Sequence, residues 1–393
     1  MSTASAAPGG PVAVSAPREA PRRKLWLDWQ RGLAVLFMIE VHVLDAWLAP
    51  GTGRGPARDA LLMIGGLAAP GFLYMAGLSQ SLADASLARR GLSAADRRAR
   101  ALRRALWLLG VAYGFRVVEF VVGGAFLRTG GWGDLLRVDI LNIIGLGLAA
   151  SALLAAGRPR LTGALLAGAA ALLVVVVTPG AADVLRHYDL PRPGQPVDPA
   201  ARAASSQVVD VLLAYAYGSY PRANFSLLNW SAFLFAGVAA GRLSGSGSRP
   251  WRWLAVGACL IGAGWLVHHG PVLFAYQNFW RTSPAWFAVR LGACAGLTGL
   301  LQLVPVAAER PLQWLSTLGR QSLVAYIASV ELTYGALAYP FRRRLTLGET
   351  VLGMFAMAAI TWAVSAGWER LQARRRQGAD AGCATTGPAN TSG

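Results

Sequence analysis

The sequence predicts an all-α protein: a polytopic bundle of about ten transmembrane helices with both termini in the cytosol. Three observations predict it. Hydrophobic residues make up 54% of the 393-residue chain and charged residues only 14%, where a soluble domain carries about 25% charged. Apolar runs of about 20 residues, the length that crosses a hydrocarbon core, recur from Leu25 to Leu371. Arginines gather at alternate ends of those runs, the mark of cytosolic loops. The net charge of +18, from 37 Lys+Arg against 19 Asp+Glu, therefore reads as membrane topology, and no nucleic-acid partner is expected.

The spans fall near 25–48, 59–82, 102–126, 136–156, 161–178, 227–243, 251–269, 284–305, 314–338 and 347–371. Residues 1–24, rich in Ala, Pro, Gly and Ser and lacking an apolar signal core, read as a disordered cytosolic tail. Residues 25–372 form the membrane domain, and 373–393 read as a second disordered cytosolic tail. Basic groups at Arg22–Lys24, Arg89–Arg104, Arg158–Arg160, Arg242–Arg252, Arg310 and Arg370–Arg376 agree on which loops lie inside. One loop disagrees, because Arg342-Arg343-Arg344 falls on the outer side of that path. The longest outer loop, about 179–225, is polar enough to cover an outward-facing site. Cys259, Cys294 and Cys383 read as packing or tail residues, not as a disulfide framework.

The first span carries the expensive residues. Asp28, Arg31, His42 and Asp45 share one helical stripe. Arg31 and His42 are eleven residues apart, roughly 16 Å along the axis. Travel from inside to outside puts Arg31 in the inner third and His42 in the outer third. Ionisable groups inside a membrane span read as functional. Asp45, at i+3, is placed to orient the imidazole, whereas Glu40 points to another face. In the ninth span Arg320 and Glu331 repeat the eleven-residue spacing, so Glu331 is expected at the depth of His42, as base or orienter. Asp139 and Asn142 at the outer end of the fourth span, with Asn224, Asn229 and Trp230 after the long loop, offer polar and aromatic contacts for an acceptor. His268 and His269 read as surface residues. No histidine pair has metal-ligand spacing, so no metal is expected.

On the cytosolic side seven arginines lie between Arg89 and Arg104. Arg97, Arg98, Arg100, Arg103 and Arg104 fit a phosphate clamp. Ser79, in the small polar stretch Gly77–Ser81, fits the opening for a thin acyl-carrying arm. Nucleotide-hydrolysis and hydride-transfer loops are absent.

Taken in order, these pieces resemble a family of membrane acetyltransferases. They are Asp28…Arg31-Gly32-Leu33-Ala34 with His42, Pro70–Gly77, the arginine run, Arg137-Val-Asp139-Ile-Leu-Asn142-Ile-Ile-Gly145, Asn229-Trp230…Gly237…Gly241-Arg242, Ser283-Pro284 and Leu318-Gly-Arg320-Gln-Ser322-Leu323…Tyr326. The family is the bacterial relatives of heparan-alpha-glucosaminide N-acetyltransferase, distantly similar to the acyltransferase-3 family. The resemblance implies acetyl-CoA as cytosolic donor and co-substrate. It implies a sugar acceptor, glycan or glycolipid, on the far side of a bacterial inner membrane. It also implies an essential histidine at His42 accompanied by Arg31, and an Arg-x-x-Arg pair that Arg97/Arg100 or Arg100/Arg103 matches. Where relatives often carry a histidine three residues after the tyrosine, this chain has Ser329. A homodimer in the lipid fits this reading. The alternative is a transporter of a small anion or lipid-linked sugar with the same His and Glu as proton relay, and a third reading is an inactive membrane scaffold.

Overall fold

The structure, a computed structural model, describes residues 24–53, 55–122, 135–185, 207–217, 223, 225–244, 249–270 and 282–385. Asn224 lies outside them. The described residues form helices and no strands, with two isolated backbone bridges. We number the helices α1 (Leu25–Trp47), α2 (Pro56–Gly65), α3 (Ala68–Arg89), α4 (Ala94–Val122), α5 (Ile140–Leu154), α6 (Arg160–Leu185), α7 (Gln207–Tyr217), α8 (Leu227–Leu243), α9 (Pro250–His269), α10 (Pro284–Leu303), α11 (Gln313–Arg320), α12 (Ser322–Tyr334) and α13 (Leu347–Thr385).

Among the described residues six stretches are long and apolar enough to cross a membrane, one of them α2 and α3 taken together. α1 carries too many charges for that test, and α5, α8 and α12 are shorter. Large side chains such as Leu172, Leu266 and Phe355 point outward, the arrangement of a bundle solvated by hydrocarbon.

Local chemistry explains the helix starts. Ser93 accepts from the Asp96 amide at 3.1 Å and opens α4. Pro250 and Pro284 occupy first positions, where no amide is needed. Asp139 caps α5 through a reciprocal box with Asn142. Gly91, at φ +80, turns the chain out of α3.

The bundle has two axes. α1 is surrounded by α2, α3, α10, α11, α12 and α13, and α8 by α3, α5, α6 and α7. Glycines set the close contacts. A Cβ on Gly319 would overlap the Asp28 carbonyl and one on Gly32 the Leu315 carbonyl, so α1 and α11 touch backbone to backbone.

Three spans differ from the sequence reading. The second is broken at Gly66-Leu67, between α2 and α3. The ninth is interrupted at Gln321, between α11 and α12, both of which pack on α1. The tenth helix continues past Leu371 to Thr385.

The discordant basic loop has a physical explanation. The Arg343 amide donates to the Ala46 carbonyl at 2.9 Å, and those of Arg344 and Leu345 donate to the Trp47 carbonyl at 3.0 Å. The loop's amides supply partners for the orphan carbonyls of α1.

Candidate functional site

The α1 stripe has two differently furnished ends. At the inner end Arg31 donates to the Ser79 hydroxyl and lies 3.7 Å from Asp28. Two residues singled out separately in the sequence, Arg31 and Ser79, are thereby joined across α1 and α3. Ser79 in turn donates to the Met75 carbonyl at 2.5 Å. Its neighbour Gln80 donates to the Leu148 carbonyl at 3.2 Å and accepts from Ser151 at 2.9 Å. The opening envisaged at Gly77–Ser81 is thus occupied by the partnered side chains of Ser79 and Gln80, with Gly77 pressed on the α8 backbone and Ser81 Oγ buried without a partner among the described residues.

At the outer end the partners change. Asp45 accepts from the Tyr334 hydroxyl at 3.2 Å, and among the described residues no hydrogen bond joins it to His42. Tyr334 stands edge-on to the His42 ring, with centroids 5.5 Å apart and planes at 66°. The carboxylate therefore reaches the histidine only by way of a tyrosine, a residue the sequence reading passed over. His42 Nδ1 is buried without a hydrogen-bond partner. Trp47 donates to the Thr333 carbonyl at 3.1 Å, which fixes the register of α1 against α12.

That register puts Glu331 about one turn inward of Tyr334, near the level of His42. Its side chain, however, lies in the field of Glu119 and Arg116 on α4, and Oε1 is buried without a partner. Glu40 turns the other way. Its carboxylate packs on Gly65, where a Cβ would meet it, and both oxygens are unpartnered.

Around these groups stands a shell in which sequence reasoning passed over Arg116 and Glu119. Arg116 is buried, 2.5 Å from Glu119, and ion-paired with Asp139. Tyr326 stacks edge-on against Phe115 at 6.0 Å. Arg137 lies in the field of Tyr326 and Tyr334. Arg116 and Glu119 stand in an apolar run, so the rule that singled out His42 would have found them.

The residues assigned to an acceptor have structural work. Asp139 and Asn142 form the α5 capping box, Asp139 holds Arg116, and Asn142 donates to the Tyr215 hydroxyl at 3.2 Å. A helix start buried among apolar neighbours needs such partners. Trp230 belongs to an aromatic group with Phe225, Phe233 and Trp286 rather than to an interface belt. Asn229 is buried, and its Oδ1 has no partner.

The arginine run divides. Arg97 turns inward, 3.3 Å from Asp84, and donates to the Gly157 carbonyl. Arg242 meets the same carboxylate at 2.8 Å and also donates to the Ala155 and Arg158 carbonyls. Asp84, absent from the sequence reading, thus ties α3, α4, α8 and the end of α5 together. Arg97 consequently does not join the others on one open face. Arg100, Arg103 and Arg104 are exposed, and Arg98 is half-buried with Nε unpartnered. Partial burial, and then the Arg89 charge, lower the pKa of Lys24 at the same end. This end repels further cations and favours an anion.

No group of metal-ligating side chains occurs among the described residues. Chemistry at the outer end would rest on a half-buried imidazole, a phenol, carboxylates and nearby guanidinium groups.

Residues 23–270 match the family model described as "Heparan-alpha-glucosaminide N-acetyltransferase, catalytic". The match takes in α1 to α9 and ends before α12, which carries Glu331 and Tyr334. Comparison with curated proteins gives no match.

Proposed function

We propose that this chain, which belongs to the heparan-alpha-glucosaminide N-acetyltransferase family, carries an acetyl group across a plasma membrane, from cytosolic acetyl-CoA to a sugar amine or hydroxyl outside. The observation that carries the reading is the His42 imidazole, whose buried Nδ1 has no hydrogen-bond partner among the described residues. A buried polar atom left unbonded costs stability, and a substrate proton would satisfy it.

In this reading Arg98, Arg100, Arg103 and Arg104 bind the phosphates of the donor, for which planar guanidinium groups are suited. Arg97 works through Asp84 to fix the helix that presents them. Acetyl-CoA supplies an acetyl thioester. Arg31 and Ser79 mark the inner end of the route, and His42 the outer end. His42 accepts a proton from the acceptor as its nitrogen or oxygen attacks the thioester carbon. The new C–N or C–O bond replaces the C–S bond, and the imidazolium returns the proton to the departing thiolate. Tyr334, anchored by Asp45, holds the ring. Glu331 supplies a second carboxylate on the α4 side. Asp139 and Asn142 hold the wall beside the acceptor, and Asn229 and Trp230 offer it a carbonyl and an aromatic face.

Purified protein in lipid vesicles, given labelled acetyl-CoA and glucosamine on the opposite face, is expected to transfer the label. His42→Ala should lower the rate by about 10²–10⁴, the usual worth of a positioned base, while coenzyme A binding persists. Undiminished transfer by His42→Ala would remove that residue from the chemistry. Sugar uptake without transfer would favour the transporter.

A further inference from the structure

A groove of about 460 Å³ opens on the flank of the bundle between α4, α5, α7 and the start of α8. That volume lies within the range of ligand sites, about 300–1,000 Å³. Leu109, Leu146, Leu212 and Leu227 form its apolar wall, and Tyr113 and Tyr215 its polar end. Leu106, Trp107, Val117, Val118 and Leu212 on the same flank are exposed, so the medium outside is hydrocarbon.

The polar end distinguishes this groove from ordinary lipid-facing surface. The Tyr113 and Tyr215 hydroxyls are hydrogen-bonded to each other, and Asn142 donates to Tyr215. Whichever phenol donates within the pair, one of the two protons remains for an occupant. Polar groups at hydrocarbon depth are costly and call for a partner.

From there a line of polar residues leads inward. Asn142 shares the capping box with Asp139, Asp139 pairs with Arg116, and Arg116 faces Glu331. On the same side Arg137, with its Nε buried and unpartnered, faces Tyr334, which stacks on His42. An apolar slot open to lipid, a hydroxyl donor at its end and cations beyond match a hydrocarbon chain, a polar linker and an anionic or sugar head.

We propose that the groove holds the hydrocarbon chain of a lipid-anchored amino sugar. The head passes over the start of α5 toward His42. The acceptor is then a membrane glycolipid, drawn from the outer leaflet rather than from water. This rests on the acetyltransferase reading, so the test needs a readout that does not require transfer.

Two probes serve in nanodiscs: a hexadecyl glucosaminide and a phosphatidylcholine, each with a diazirine in mid-chain. Irradiation with the glucosaminide is expected to label α4, α5 and α7 at the groove, and excess unlabelled glucosaminide should suppress the label. Phosphatidylcholine should label the whole belt without suppression. Leu212→Trp, at an exposed position that tolerates bulk, should cut groove labelling. It should also raise the ratio of KM for the hexadecyl glucosaminide to KM for free glucosamine about tenfold. Tyr113→Phe should weaken labelling with the fold intact. Suppressible labelling without any transfer by the natural protein would keep the groove and remove the enzymatic reading. Equal, unsuppressed labelling by both probes, or a Leu212→Trp variant that labels and discriminates as before, would overturn the proposal.

Discussion

Gly237→Ala should loosen the contact on which the inner end of the site depends. Gly237 and Gly241 are four residues apart on α8 and press on α3, the small-xxx-small arrangement of close membrane helices. A Cβ on Gly237 would overlap the Tyr74 carbonyl oxygen, and it would lie 2.9 Å from the Tyr74 carbonyl carbon and 3.1 Å from the Leu78 nitrogen. These are backbone atoms and cannot rotate away. The carbon contact alone requires the helices to part by about half an ångström, and the oxygen contact requires more. Overpacking of this kind costs about 1–3 kcal/mol. Alanine returns up to about 1 kcal/mol of helix propensity. For a cost in the middle of that range the net loss is about 1–2 kcal/mol, or roughly five- to thirty-fold in the folding equilibrium. α3 also carries Ser79 and Asp84, so the Arg31–Ser79 bond should weaken with it. The assay is thermal unfolding in lipid nanodiscs beside Gly168→Ala, a helical position where a Cβ meets nothing within 4 Å. That control should be neutral or slightly stabilised. Equal melting of the two variants would refute the claim that backbone contact sets the α3–α8 distance.

Two further outcomes follow from the charge networks. Asp84→Asn leaves the buried Arg242 and Arg97 without their carboxylate and should cost about 3–5 kcal/mol, read as a lower melting temperature that Arg242→Gln partly restores; a melting temperature equal to the natural protein's would contradict it. Replacing Arg100, Arg103 and Arg104 together by Gln should raise KM for acetyl-CoA about tenfold and flatten its salt dependence; an unchanged KM at low salt would leave these residues to membrane topology alone.

The helical membrane architecture was legible because it rests on long-range averages: apolar length, arginine asymmetry and sparse charge. His42 and the α1 stripe were legible for a related reason, since a charge in hydrocarbon is conspicuous in one dimension. Partnerships were less so. The spacing that singled out Asp45 as the orienter of His42 ignored a tyrosine from a distant helix, because i+3 neighbours compete with whatever packs across the interface. Asp139 and Asn142 drew attention as substrate ligands, yet their i, i+3 spacing is equally that of a capping box, and α5 begins there. The bend at Gln321 has no proline to announce it. It adjoins the close approach of Gly319 to Asp28, a contact between residues nearly 300 positions apart.

The two ends of the α1 stripe now carry different physical meaning. At the inner end the charges are answered: Arg31 has Ser79 and Asp28, and Arg320 on α11 has a bidentate bond to Glu369, at 2.7 and 2.9 Å. Such pairs hold helices in register and need nothing added. At the outer half, His42 Nδ1, both oxygens of Glu40 and Oε1 of Glu331 are buried and unbonded. Each such group costs about 1–3 kcal/mol, and an apolar side chain would fill the same space without that cost. In the proposed reading a polar visitor satisfies these outer groups, which is why the chemistry is assigned to the His42 end and the exposed Arg100, Arg103 and Arg104 to drawing in the donor.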